Sequence, residues 1–234
     1  MGTVVLAGEE THYLSGVLRL GDGDRVRIFD GEGAEFDAEL NTADGEATLT
    51  ILGRVTPVTG VTGPRVTVIA AVIKNRNFDM VVRKCAELGA VSLVPVRTAR
   101  TVKEAAAGSD RWRKISVEAS RQCGRTDVMK VEEVGRFDAA IAGCGSSLRL
   151  IAWEGGDEGP EAVPFADALE SAGWGGSIAI AVGPEGGFVA GEVETAVAAG
   201  FTPVSLGRRI LRSETVPLCM LAVVQYSFGD LNGR

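Results

Sequence analysis

The sequence is short of the residues that usually announce a chemistry. It holds one histidine, His12, and four cysteines, Cys85, Cys123, Cys144 and Cys219, scattered without metal-type spacing. That excludes a disulfide framework and a Cys/His zinc cluster, and leaves idle or buried thiols, with no metal expected. Aromatics make up only 6% of the 234 residues and prolines number 8, while apolar residues reach 45%, the balance of an ordinary folded protein. No apolar run approaches the length of a bilayer span. The opening "MGTVVLAGEETHYL" has no basic region ahead of an apolar core, so no secretory leader or membrane association is expected, and a cytoplasmic location follows. Two phosphate signatures are also missing. There is no G-x-x-x-x-G-K-[ST] and no G-x-G-x-x-G opening a helix, which argues against nucleoside triphosphates and dinucleotides.

Positive charge is lacking overall, with a net −7, and taken whole this speaks against a nucleic-acid partner. Its distribution says otherwise. Residues 74–130 carry 13 Lys/Arg against 6 Asp/Glu, and the rest of the chain carries 11 against 25. A basic middle on an acidic body fits a protein that grips a polyanion with one face, although solvated helix surfaces would give the same count.

What is present changes texture near residue 64. Through 1–54, "RVRIFDG" and "AEFDAEL" alternate around the turn "DGEG", and "EATLTILG" follows a second turn signal, "TADG". "EETHYLSGVLR" places Tyr13, Leu14, Val17 and Leu18 at helical spacing, so a small β-barrel with one short helix is expected over 1–64. "VTPVTGVTGP", 55–64, reads as a linker. From Arg65 to 234 strands and helices alternate, "RVTVIAAV", "VSLVPV", "SLRLIAWE", "SIAIAVG" and "FTPVSLG" being the strands. A second domain with a mostly parallel sheet covered by helices is expected, with Ser109 and Ser213 capping two of the helices. Ligands of such sheets bind outside the carboxyl ends of the strands. Three strands end there in conspicuous loops, "WEGGDEG", "GPEGGF" and "LGRRILR". Carboxylates Glu154, Asp157, Glu158 and Glu185 lie in or beside them, where a phosphate would be repelled. A positively charged cofactor without phosphate suits such loops, and S-adenosylmethionine is one; plain turn chemistry is the alternative.

"VGPEGGF" followed by "LGRRILRSET" closely resembles the signature of the RsmE-type methyltransferases, a SPOUT-class family. "HYLSGVLRLGDGDRVRIFDG", "KNRNFDMVVRKCAELGAVSLVPVRTART" and "RWRKISVEASRQCGR" extend the likeness along most of the chain. It departs from the family pattern in lacking the Arg-plus-aromatic start common there, at Val216, where a small residue is usual, and at Met129, where a proline is common; none removes the cofactor loops. The resemblance implies an N-terminal PUA-like barrel, an α/β SPOUT domain with a C-terminal trefoil knot, and a homodimer. It also implies methylation of N3 of a uridine in bacterial small-subunit (16S) rRNA, within the ribosomal subunit, from S-adenosylmethionine. By motif, the cofactor residues are Gly183, Pro184, Glu185, Gly186 and Gly187, then Leu206, Gly207, Ile210, Leu211 and Thr215, with Trp153 and Glu154 from the third loop. Another SPOUT enzyme with a different RNA site, or a non-catalytic RNA-binding assembly factor, would share much of this pattern.

Uracil N3 carries a proton and is a poor nucleophile until it leaves, so the enzyme must stabilise an anionic ring. Arg212 is expected to offset charge on a uracil carbonyl oxygen, and Glu214 either to accept the proton or to orient Arg212. Arg19, Arg97, Arg100, Arg121 and Arg125 are candidate RNA contacts, given the planar fork of arginine. Trp112 is expected in the core, His12 within the barrel, and Lys84 to pair with Glu87.

Overall fold

The structure is a computed structural model that describes residues 2–43, 46–56, 63–101, 108–155, 159–173 and 176–233. The turn residues Asp44 and Gly45, most of the expected linker and the loop carboxylates Asp157 and Glu158 lie outside the described residues. Contacts divide the chain into two units, Met1–Gly60 with Gly124–Asp127, and Val61–Cys123 with Val128–Arg234.

The first unit carries strands β1 (Thr3–Val5), β2 (Arg25–Phe29), β3 (Glu35–Ala43) and β4 (Glu46–Val55) in an antiparallel sheet of order β1-β4-β3-β2. Side chains alternate across it with period two. Ala38 and Leu40 of β3 meet Ala47 and Leu49 of β4 in a small core, against which Leu6, Leu14, Leu20, Val26 and Ile28 pack. The "DGEG" turn is set by one carboxylate. Asp30 Oδ1 accepts the backbone N–H groups of Glu32 (2.8 Å) and Ala34 (3.0 Å), while Gly31 and Gly33 take the left-handed φ of 81° and 107° that other residues rarely adopt. Those N–H bonds hold the Asp30 carboxyl below its ordinary value of 3.8. Stability from this turn is therefore present above pH 3.8 and lost as pH falls through the lower folded value.

The helical reading near residue 13 needs correction. Helix α1 spans Gly8–His12 and passes into a π turn over Tyr13–Val17, where Leu18 N–H donates to Tyr13 C=O at 3.0 Å. The wider spiral breaks the single apolar face that i, i+4 spacing predicts. Leu14 packs inward, but Tyr13, Val17 and Leu18 are exposed. His12 is exposed too, its ring over Gly16.

The second unit is built on eight strands whose ladders are all parallel: β5 (Arg65–Ala71), β6 (Ser92–Arg97), β7 (Lys130–Val131), β8 (Gly135–Arg136), β9 (Leu148–Ala152), β10 (Val163–Pro164), β11 (Ser177–Val182) and β12 (Thr202–Ser205). Their order is β10-β12-β9-β11-β5-β6-β7, with β8 also on β6. Helices are α2 (Asn75–Glu87), α3 (Ser109–Cys123), α4 (Phe137–Ala142), α5 (Phe165–Ala172), α6 (Ala190–Ala198) and α7 (Thr215–Phe228). The central strands are mostly apolar, with few exceptions such as Thr67 and Arg149, because both faces are covered. Val66, Val68 and Ala70 of β5 and Ile178, Ile180 and Val182 of β11 face one core with Phe78, Trp112 and Met220. The alternate residues Ile69, Ala179 and Ala181 face a second core with Phe137, Phe188 and Phe201. Trp112 is buried as expected, its ring 4.4 Å from that of Phe78. Truncating a fully buried side chain such as Ile180 to alanine costs about 2–5 kcal/mol.

Two capping expectations also change. Ser109 is the first residue of α3, and its side chain bonds Glu133. The residue before α7 is Glu214, already helical at φ −73°, so Ser213 does not cap it. The short elements β7, β8, β10, α4 and α5 carry too few residues to show a period.

Candidate active-site cleft

Register brings the three loops together. Ala181 pairs with Ile151, and Ala152 with Val204, so β11, β9 and β12 end level with one another on adjacent tracks. Trp153 N–H donates to Val204 C=O at 2.9 Å and extends the ladder to the edge of the cleft. The loops after these strands enclose a cavity of about 400 Å³. Of the cofactor residues expected from sequence, all line it except Thr215, which stands one turn away with its N–H on Arg212 C=O at 2.8 Å.

The glycine loop is tightly built. Gly187 N–H closes a turn on Pro184 C=O at 2.9 Å, with Gly187 at φ 69°. Phe188 is buried against Phe137 with ring centroids 4.8 Å apart, anchoring the far end. A Cβ on Gly183 would lie 3.1 Å from Phe188 N and 3.1 Å from the Phe188 ring, so the first glycine is required by close approach of the loop to itself. Arg100 completes the wall. Its Nη1 donates to Gly186 C=O at 2.7 Å and to Phe188 C=O at 3.4 Å, so a guanidinium expected on RNA instead braces the glycine loop. Lys74 N–H donates to Glu185 Oε1 at 3.4 Å.

The opposite wall comes from the loop after β12. Leu206 and Leu211 are half-buried, Gly207 has φ 95°, and Ile210 is 82% exposed. Arg209 and Ser213 line the cavity, while Arg212 and Glu214 do not. Glu214 Oε1 accepts from Asn77 Nδ2 at 3.2 Å, and among the described residues no ion pair joins Glu214 to Arg212. The third wall is the Trp153 loop. Indole Nε1 donates to Pro160 C=O at 3.1 Å and folds the loop back, with Gly159 against the ring. Glu154 stands exposed at the rim.

The remaining predicted arginines scatter. Arg97 is exposed at the end of β6. Arg121 is exposed near the end of α3 and engaged within the protein. Arg125 is only 7% exposed and pairs with Asp127 at 2.8 Å. Arg19, in the first unit, is exposed with φ 57°. Lys84 pairs with Glu87 at 2.6 Å. Sequence reasoning did not place Arg100 or Arg209 in the cleft wall, nor Asn77 as the partner of Glu214; only the position of Arg209 within the "LGRRILR" loop could have signalled any of them. Among the described residues no group of three His, Cys, Asp or Glu side chains is placed to hold a metal ion, and no helix is long and apolar enough to cross a membrane.

The cleft suits a ligand with an apolar ring system that carries charge, since Glu154 and Glu185 share the lining with Arg100 and Arg209. Val182, Val204, Leu206, Ile210 and Leu211 offer an apolar lining, main chain supplies hydrogen-bonding groups along two loops, and Glu154 and Glu185 supply negative charge. A volume of this size is that of an ordinary small-molecule site.

Comparison with known proteins places this chain in a family. Residues 62–225 match the RNA methyltransferase domain model, and residues 6–52 match the RNA methyltransferase PUA domain. The chain is 35% identical to the ribosomal RNA small subunit methyltransferase E of Synechocystis, over 95% of this chain and 72% of that protein. It is 29% identical to the Bacillus subtilis protein of the same name, over 99% and 93%. It superimposes on the crystal structure of the methyltransferase E of Neisseria gonorrhoeae bound to S-adenosyl methionine, with a TM-score of 0.87 and 31% identity over 98% of this chain and 94% of that one. A protein of Legionella pneumophila solved with the same cofactor gives 0.86 at 26% identity, over 98% and 94%.

Proposed function

The chain belongs to the RNA methyltransferase family that includes the ribosomal RNA methyltransferases E, and from that membership we propose that it methylates N3 of a uridine in 16S rRNA with S-adenosylmethionine as donor. The observation that carries the proposal is the cleft of three strand-end loops, apolar within, where Glu154 and Glu185 share the wall with Arg100 and Arg209.

The residues present fit this cofactor. The apolar lining suits a flat base, and Leu206 and Gly207 offer main-chain groups for its edge. Glu154 and Glu185 balance a positive charge. Bound there, S-adenosylmethionine supplies an electrophilic methyl group on a positively charged sulfur. The chain's own residues do the rest. Arg212, exposed beside the cleft-lining Leu211 and Ser213, offsets negative charge on a uracil oxygen as N3 loses its proton. Glu214, fastened by Asn77 and not joined to Arg212, takes that proton through the oxygen Asn77 does not hold. Arg100 and Phe188 keep the glycine loop in its binding shape, so little ordering remains when the cofactor enters.

Residues 1–64 serve as a PUA-like barrel that holds RNA, and 65–234 form the SPOUT domain, its last loops threaded as a trefoil knot. The working form is a homodimer in the cytoplasm. Helix α7 supports this, because Val223 and Tyr226 stand exposed beside half-buried Leu218, Cys219 and Ala222, an apolar stripe that a second copy would cover. Light scattering should give the mass of two chains. The function is tested by calorimetry with S-adenosylmethionine, then by methyl transfer to small ribosomal subunits with the modified base identified. Binding of a nicotinamide dinucleotide in place of S-adenosylmethionine, or methyl on another base atom, would overturn the reading.

A further inference from the structure

The basic middle of the chain is largely satisfied from within. On α3, Arg111 pairs with Asp79 across to α2, and Arg113 pairs with Asp110 at 2.9 Å and Glu133 at 2.5 Å. Lys84, Arg125 and Lys130 pair with Glu87, Asp127 and Glu132, and Lys114 and Arg121 are engaged as well. Arg100 is bound to the glycine loop. A polyanion reaching these cations meets the carboxylates beside them as well, which cancel much of their field.

Of the exposed basic side chains that form no hydrogen bond or ion pair among the described residues, Arg19, Arg25, Arg54, Arg65 and Arg97 lie scattered, but five others gather in two segments. Lys74 and Arg76 open α2, and Arg208, Arg209 and Arg212 crowd one loop; all five are exposed. Two carboxylates bring these segments together. Glu185 holds Lys74 N–H, and Glu214 holds Asn77, so the first turn of α2 lies against both the glycine loop and the arginine loop. Arg83, also exposed and two turns along α2 from Arg76, extends the row on the same helix face. Like charges on adjoining segments repel one another, and Glu154, Glu185 and Glu214 are fewer than the cations. An extended row of uncompensated cations fits a chain of phosphates better than one small anion.

We propose that the phosphates of the RNA substrate cross the mouth of the cleft on Lys74, Arg76, Arg208 and Arg209, rather than along α3. This rests on the RNA methyltransferase reading and adds to it the path of the strand. The target nucleotide enters the cleft between the two cationic segments, and its neighbours' phosphates are held on either side.

The test is binding of a labelled single-stranded RNA oligonucleotide across a salt series, followed by fluorescence anisotropy. Arg76→Ala and Arg208→Ala should each reduce the slope of log affinity against log salt by about 0.7 for every phosphate no longer neutralised, and the double variant by about twice that. Arg113→Ala should leave the slope unchanged. Neither Arg76 nor Arg208 lines the cleft, so S-adenosylmethionine affinity by calorimetry should stay at the wild-type value and certify the fold. Unchanged slopes in both variants, with methyl transfer to rRNA intact in the wild type, would overturn this path and leave the enzyme reading standing. Reduced slopes in a wild-type background that binds RNA and cofactor without transferring methyl would sustain the path and sink the enzyme reading.

Discussion

The loops after β11 and β12 face each other across one cleft and are built in opposite ways. The first is braced from every side. Arg100 bonds two of its carbonyls, a turn closes Pro184 to Gly187, and Phe188 is buried at its end. The second presents Ile210 at 82% exposure and three arginines without side-chain partners among the described residues, fastened by Glu214 on Asn77 and by the first turn of α7. The difference teaches a division of labour. A small cofactor is bound best by a shape that needs no ordering, whereas a large anionic substrate can supply the charge and apolar cover that the protein leaves out.

Substitutions at four positions break or sharpen that contrast. Arg212→Ala should have the largest effect, lowering single-turnover methyl transfer about 10²–10³-fold with cofactor affinity nearly unchanged, and Arg212→Lys should restore only part of it because an ammonium lacks the fork. Full activity in Arg212→Ala would remove the open loop from catalysis. Next comes Gly183→Ala. Its new Cβ meets Phe188 backbone, which cannot give way as a flexible side chain would, and about 1–3 kcal/mol of overpacking should weaken S-adenosylmethionine binding roughly tenfold to a hundredfold in calorimetry. Unaltered affinity would mean that the braced shape is not what binds.

Arg100→Ala should weaken cofactor binding by about threefold to tenfold, since it removes charge-assisted bonds at an exposed site. RNA affinity should change less than cofactor affinity; the reverse order would return Arg100 to the RNA contacts that the sequence suggests. The smallest effect is expected from Glu185→Gln, within about twofold in cofactor affinity, because its bond to Lys74 is long and an amide oxygen can still accept it. A larger loss would show that the negative charge itself, rather than the bond, matters to the cofactor.

Sequence reached the strand-and-helix alternation of the second unit because its central strands are continuous apolar runs and its helices end at glycines such as Gly89 and Gly200, both at positive φ. It also reached most of the cofactor wall, since those residues lie in unbroken loops. Pairings between distant segments were beyond it. Nothing around Arg100 in "RTART" announces that it will meet a carbonyl 86 residues later, and nothing in "KNRNF" marks Asn77 as the partner of Glu214. The count of basic residues over 74–130 is correct as arithmetic but blind to pairing, because Asp79 and Glu133 are brought to Arg111 and Arg113 only by packing. At residue 13 the period itself misleads, for a π turn keeps the spacing in the sequence and changes the face in space.

The bonds that close the cleft also set when it can exist. Lys74 waits for Glu185, Arg100 for Gly186, and Asn77 for Glu214, the last pair separated by 137 residues. At synthesis rates of roughly 5–20 residues per second, about 7–27 s pass between making the two members of that pair. During that interval β5, α2 and β6 can form, but the cofactor site stays incomplete, because its walls follow β9, β11 and β12 and the last is made only after residue 205. A chain cut short before residue 183 would therefore have no means of sequestering S-adenosylmethionine, and competence waits for the loop after β12 to be made.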